Sequence, residues 1–167
     1  NDLNGTNGFT IVGATFNDEA GSSVSGGGDI NNDGYDDLII GAPGADLDEL
    51  TPETGAAFVI FGQASFPAKV DLDTLNGASG FRINGIAMDD RAGASVGLAK
   101  DINGDGFDDI LIGAPDASSG GKQGIGQVYV VWGKQSFSPV LNLSTLNGAN
   151  GITIDGVAGG SDTASST

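Results

Sequence analysis

The stretch DINNDGYDDLIIGAP at residues 29–43 returns as DINGDGFDDILIGAP at residues 101–115, so the chain is built on a repeat of 72 residues. A unit of that size buries its apolar faces mainly against its neighbours, which restricts the fold to stacked or radially arranged repeats. Each copy begins as an acidic turn and runs on into an apolar, β-branched strand. Oxygen-bearing side chains fall at loop positions 1, 3, 5 and 9: Asp29, Asn31, Asp33 and Asp37, then Asp101, Asn103, Asp105 and Asp109. Position 6 is glycine both times, Gly34 and Gly106.

A second marker sets the phase of the repeat: LNGTNGFTIVG opens at Leu3, LNGASGFRING at Leu75 and LNGANGITIDG at Leu146. Two full units and the opening of a third are therefore present. Apolar alternation bounded by Gly, Asp and Pro marks four short strands in the first unit, at 9–13, 22–28, 37–42 and 56–62. The second unit repeats them at 81–85, 94–100, 109–114 and 126–133, and 152–156 opens the third. No segment sustains a helical period. The pattern predicts an all-β fold, and four short antiparallel strands per unit suit the blades of a β-propeller. A sandwich or a solenoid uses similar strand spacing and stays open at this point.

The acidic loops read as cation sites. Side-chain oxygens on alternate residues, turned by the glycine, converge with a peptide carbonyl at position 7, that of Tyr35 or Phe107. Oxygen-only ligation with several carboxylates is hard-cation chemistry, and an irregular donor set favours calcium over magnesium. Zinc is disfavoured because the chain has no His and no Cys. Two Ca²⁺ sites are expected, one from Asp29, Asn31, Asp33, Tyr35 and Asp37, the other from Asp101, Asn103, Asp105, Phe107 and Asp109. These are not EF-hands, because position 12 is Ile40 or Ile112 instead of a bidentate Glu. The strand that follows also argues against a dockerin loop, which leads into a helix. An acidic turn can serve simply as a hairpin connection. Two matched sets of carboxylates, however, repel unless a cation is bound. Asp36 and Asp108, at position 8, are expected to point away from the ion as solvated or supporting residues.

Composition narrows the partners. Six Lys and Arg stand against 22 Asp and Glu, a formal charge of −16 that repels phosphate backbones and anionic lipid. Neither nucleic-acid binding nor membrane insertion is expected; no apolar run approaches the ~18 residues that span a bilayer. The chain starts at Asn1 without a basic-then-apolar leader, so a processed or excised segment is expected. Without His or Cys the usual bases and nucleophiles are missing, and the chain reads as a non-enzyme. Asp46, Asp48, Glu49 and Glu53 form a separate acidic loop, read as solvated in preference to a paired-carboxylate glycosidase site.

The stretches GSSVSGGGDINNDGYDDLIIGAP with GAAFVIFG, and GASVGLAKDINGDGFDDILIGAP with IGQVYVVWG, resemble the FG-GAP repeat of integrin alpha-chain propellers and bacterial secreted proteins. The resemblance covers nearly the whole chain. It implies propeller blades in which the calcium loop joins the first and second strands, about two blades in all. Ala20-Gly21 and Ala92-Gly93 replace the Phe-Gly of the family name, and no Arg-Gly-Asp occurs.

In the family's strand order, residues 1–21 supply the outer strand of a preceding or neighbouring blade. Residues 22–85 and 86–156 form two blades, and 157–167 start a further repeat. Two blades do not close a ring that needs at least four. Either further blades of a longer chain or copies of the same chain are expected to complete it, the latter by strand addition into a ring or a filament. Left unpaired, an edge carrying Phe9 and Ile11 would be an aggregation liability.

The function expected is that of a calcium-stabilised extracellular module for adhesion, structural assembly or protein or glycan binding. The alternative is a non-catalytic accessory domain of a secreted hydrolase. Phe58, Phe61, Tyr129 and Trp132 read as core, and Phe66 and Phe137 as packing residues before sugar platforms.

Overall fold

Val, Ile and Phe on alternate positions of short runs need covered faces, and stacked sheets supply them. A computed structural model describes residues 3–46 and 53–157. The described chain forms β1 (Thr10–Val12), β2 (Ser23–Gly28), β3 (Asp37–Ala42), β4 (Ala56–Ile60), β5 (Lys69–Asp71), β6 (Gly80–Asn84), β7 (Ser95–Ala99), β8 (Asp109–Ala114), β9 (Gln127–Val131), β10 (Val140–Asn142) and β11 (Gly151–Asp155). Its only helices are 3-10 turns at Leu72–Thr74 and Leu143–Thr145. The fold is all-β. Residues 158–167, with most of the expected third repeat, lie outside the described residues, as do Asp48 and Glu49.

Two antiparallel meanders carry the repeat. β2, β3, β4 and β6 pair in that order, and β7, β8, β9 and β11 pair in the same order, which is the strand order of a propeller blade. β3 and β8 begin at position 9 of the acidic loops, so each loop joins the first and second strands of its sheet.

Two strands lie outside the expected four per unit. β10 adds to the edge of β6 in parallel, pairing Leu141 with Ile83, and β5 adds likewise to β1, pairing Val70 with Ile11. Each has three residues and follows Pro67 or Pro139 closely, too short a run for alternation to mark. β1 is therefore not an unpaired strand. One edge is held by β5, Phe9 stacks on Phe66 with ring centroids 4.3 Å apart, and Ile11 packs against the first sheet.

The core lies between layers. One face of the first sheet (Ile39, Val59, Phe81, Ile83) meets one face of the second (Ile110, Ile112, Tyr129, Val131). The other face of the first sheet, with Ile40, Phe58 and Ile60, is covered by Ile11, Phe66, Val70 and Leu72. Both faces of β3 and β4 are thus buried, which is why their runs are almost wholly apolar. Phe58, Phe61 and Tyr129 are core, while Trp132 is only half-buried, its indole N–H donating to the Gly148 carbonyl at 3.2 Å. Its ring reaches the rim because that indole partner sits in an exposed turn. Phe137 packs in the core, stacked on Phe81 at 4.1 Å, and Phe66 packs on Phe9.

Candidate metal centre

Each acidic loop is shaped by its own side chains. In the first, the Asp29 carboxylate accepts from the Asp33 N–H at 3.0 Å and the Gly34 N–H at 2.9 Å. Asp33 accepts from the Tyr35 N–H at 2.9 Å and from the Asn31 side-chain amide at 2.8 Å. The second loop repeats the pattern: Asp101 accepts from Asp105 at 3.0 Å and Gly106 at 2.8 Å, and Asp105 from Phe107 at 3.0 Å and the Asn103 amide at 2.8 Å. Gly34 and Gly106 lie at φ 91° and 95°, a left-handed turn that explains the glycine at position 6. Position 4 is left-handed as well, and there the copies use Asn32 and Gly104, the residue types that tolerate it.

Position 9 lies deeper. Asp37 and Asp109 have no exposed surface. Asp37 accepts from the Ile30 and Gly62 N–H groups, both at 2.8 Å, and Asp109 from Ile102 at 2.7 Å and Gly133 at 3.0 Å. Gly62 and Gly133 are site residues that the sequence reading missed; their only signal was the FG and WG that close each third strand. A Cβ on Gly62 would meet the Asp36 carbonyl at 2.4 Å, and one on Gly133 the Asp108 carbonyl at 2.3 Å, so only glycine allows this approach.

Burial pushes the Asp37 carboxyl up to about 6; the Gly62 and Ile30 N–H groups oppose that, and the Asp33 and Asp29 charges add to it. In the second loop the Gly106, Gly104 and Asp105 N–H groups hold Asp101 below the usual carboxylate range. Among the described residues no Lys or Arg forms an ion pair with any of the six loop Asp at positions 1, 5 and 9. Asp37, buried and raised by the Asp29 and Asp33 charges without an ion pair to Lys or Arg among the described residues, is in an electrostatic setting that a divalent ion would stabilise.

The donor set of the first loop leaves room for calcium, whereas in the second loop Asp101 Oδ1 already accepts from two N–H groups, Gly104 at 2.6 Å and Asp105 at 3.0 Å. Asp29, Asp33 and Asp37 each accept one of these hydrogen bonds per oxygen, and a carboxylate has about four acceptor sites, so every oxygen keeps one lone pair for an ion. The loop carboxylates are turned onto N–H groups, and no three acidic side chains among the described residues cluster as a ready-made metal site. A cation held there would need the Asn side chain and the position-7 carbonyl as well as Asp.

The two position-8 residues differ. Asp36 is exposed, whereas Asp108 is half-buried and turned onto the first loop. Its carboxylate accepts from the Asp29 N–H at 3.0 Å and from Lys100 Nζ at 2.8 Å, and Lys100 holds it below the usual carboxylate range. In the separate acidic loop, Asp46 accepts from the Glu53 N–H at 2.7 Å; these two line a small surface hollow with Asn17, Glu19 and Gly44.

Paired meanders with an acidic loop between first and second strands define a propeller-type repeat protein. The repeats are FG-GAP repeats, matched at residues 20–60 and 92–131, and the chain belongs to that family. It is 34% identical over 168 residues to a phosphatidylinositol-glycan-specific phospholipase D of Dictyostelium discoideum, a match covering 94% of this chain and 17% of that protein. It is 40% identical over 124 residues to integrin alpha-3 of Mus musculus, covering 72% of this chain and 10% of the integrin. Integrin alpha pat-2 of Caenorhabditis elegans matches at 35% over 133 residues, 73% of this chain and 10% of that protein. The chain thus spans less than a fifth of the length of these relatives. Among the described residues no helix is long and apolar enough to cross a membrane.

Proposed function

We propose that the chain is a non-catalytic, calcium-stabilised repeat module of an extracellular or cell-surface protein, serving adhesion or structural assembly through a protein or glycan partner. The observation that carries the calcium reading is the duplicated, buried position-9 carboxylate, Asp37 and Asp109, set at the end of an oxygen-only loop with no cationic side chain among the described residues paired to it. Calcium sites of extracellular modules have Kd of about 10⁻⁴ to 10⁻³ M, so they fill outside cells and not in the cytosol. The integrin alpha relatives support a cell-surface setting.

An ion that binds only the folded state adds about 2.7 kcal/mol per site at a hundredfold excess over Kd. For a chain of this size, two sites raise the melting temperature on the order of 10 °C. Scanning calorimetry with calcium and with chelator tests this, and an equal melting temperature in both would overturn the calcium reading. Magnesium at the same concentration is expected to give much the smaller rise.

The repeat also supports assembly with further repeats. By register, Leu111, Val128, Val130, Ile152 and Ile154 of the second sheet correspond to Ile39, Ala57, Val59, Phe81 and Ile83 of the first. Val130 is buried, but Val128, Ile152 and Ile154 line an open face, with Ile154 51% exposed, whereas the equivalent Ile83 is wholly buried. We read the open face as the seat of another repeat sheet, from a longer chain or a second copy. An accessory domain of a secreted hydrolase is the second reading, favoured by the 94% of this chain that aligns with a phospholipase D.

A further inference from the structure

The two acidic loops touch. Asp108 sits in the second loop between Phe107 and Asp109, and it grips Asp29, the first residue of the first loop, at two points. Its carboxylate accepts from the Asp29 N–H at 3.0 Å, and its own N–H donates to the Asp29 carbonyl at 3.2 Å. Lys100 braces the grip: its ammonium donates to Asp108 at 2.8 Å and reaches the Gly27 carbonyl, just before the first loop, at 3.5 Å. One residue further on, the Lys134 N–H donates to the Ile30 carbonyl at 3.0 Å. Lys134 follows Gly133, whose N–H holds Asp109. A Cβ on Gly28 would lie 3.3 Å from the Asp108 carboxylate, so the glycine before the first loop leaves room for this contact.

We propose that Asp108 couples the two loops, so that calcium in one raises the affinity of the other. The inference rests on the calcium reading above. The Phe107 carbonyl and the Asp109 carboxylate, on either side of Asp108, would hold an ion in the second loop, and such an ion would fix the backbone around Asp108. A fixed Asp108 holds the Asp29 main chain in place, and the first loop then loses less conformational freedom when its own ion arrives. Coupling is reciprocal, so filling the first loop equally favours the second. Ion–ion repulsion acts in the opposite sense, but salt damps it beyond a Debye length of ~8 Å at physiological ionic strength. The hydrogen bonds to Asp29 act by contact and are not damped in that way.

The test is a calorimetric titration of the full chain with calcium chloride, after chelator treatment, in about 0.15 M salt. Affinity of the first loop is measured with the second intact and with it disabled by Asp105→Ala. The expected ratio is roughly fivefold or more in favour of the intact chain. Asp108→Ala is expected to reduce the ratio to about one. Asp108→Asn keeps an acceptor for the Asp29 N–H and is expected to retain most of the ratio, an outcome a merely destabilising substitution would not produce. Circular dichroism checks that each variant is folded. Equal first-loop affinity with and without the second loop, or a ratio that survives Asp108→Ala, would overturn the coupling while leaving the calcium reading intact. Absence of calcium binding by the unmodified chain would overturn both.

Discussion

Tyr129 shows how strongly one position depends on its layer. It is wholly buried between the sheets, and its hydroxyl donates to the Gln127 side chain at 2.6 Å. Burial pushes its phenol up to about 12, with the Asp90 and Asp155 charges adding to the shift. The folded state therefore favours the neutral ring. That contribution is complete below the ordinary tyrosine value of about 10 and is lost as pH rises through about 12. In an alkaline titration followed by tyrosinate absorbance, one of the two tyrosines is expected to stay neutral until the chain unfolds. Tyr129→Phe should move the unfolding midpoint to higher pH; an unmoved midpoint would show that another group drives the transition. At this scale the loop donors were legible, because Asp, Asn and Gly at fixed offsets have local causes. The direction of Asp108 was not. Asp36 holds the same place in the first loop yet lies exposed, and the difference comes from Lys100 and Asp29, partners that loop spacing does not reveal.

Strands bounded by strong punctuation were read to the residue. β3 and β8 start at an acidic turn and stop before Pro43 and Pro115, and their bounds agree with the apolar runs. β5 and β10 escaped because a three-residue parallel strand is defined by the edge it joins more than by its own pattern. The layer that buries each face sets the cost of changing it. Ile39 of β3 faces the second sheet with no exposed surface, whereas Val24 of the neighbouring β2 is 68% exposed. Ile39→Ala is expected to cost about 2–5 kcal/mol in a denaturant titration, and Val24→Ala less than about 0.5 kcal/mol. Similar losses at both positions would contradict the stacking of the sheets.

For the whole molecule the open face of the second sheet is the decisive surface. Val128, Ile152 and Ile154 are 38–51% exposed there, on a protein whose charge of −16 otherwise keeps copies apart. Sedimentation velocity is expected to show concentration-dependent association that strengthens with added salt, as repulsion is screened. Ile154→Lys should weaken it. A strictly monomeric chain at every salt concentration would argue that this face is filled by later repeats of a longer protein and not by a second copy. The repeat phase predicted stacked sheets; which face lay open followed from register, since equivalent residues differ in what lies beside them.

β10 is reached from β9 of the second sheet, yet it closes the edge of β6 in the first. This ties the order of assembly to the order of synthesis. During synthesis β6 would keep one edge open until Val140–Asn142 had emerged and folded back. The first sheet is thus finished by a strand that follows most of the second, and a nascent chain stalled between Asn84 and Val140 would carry an unfinished edge.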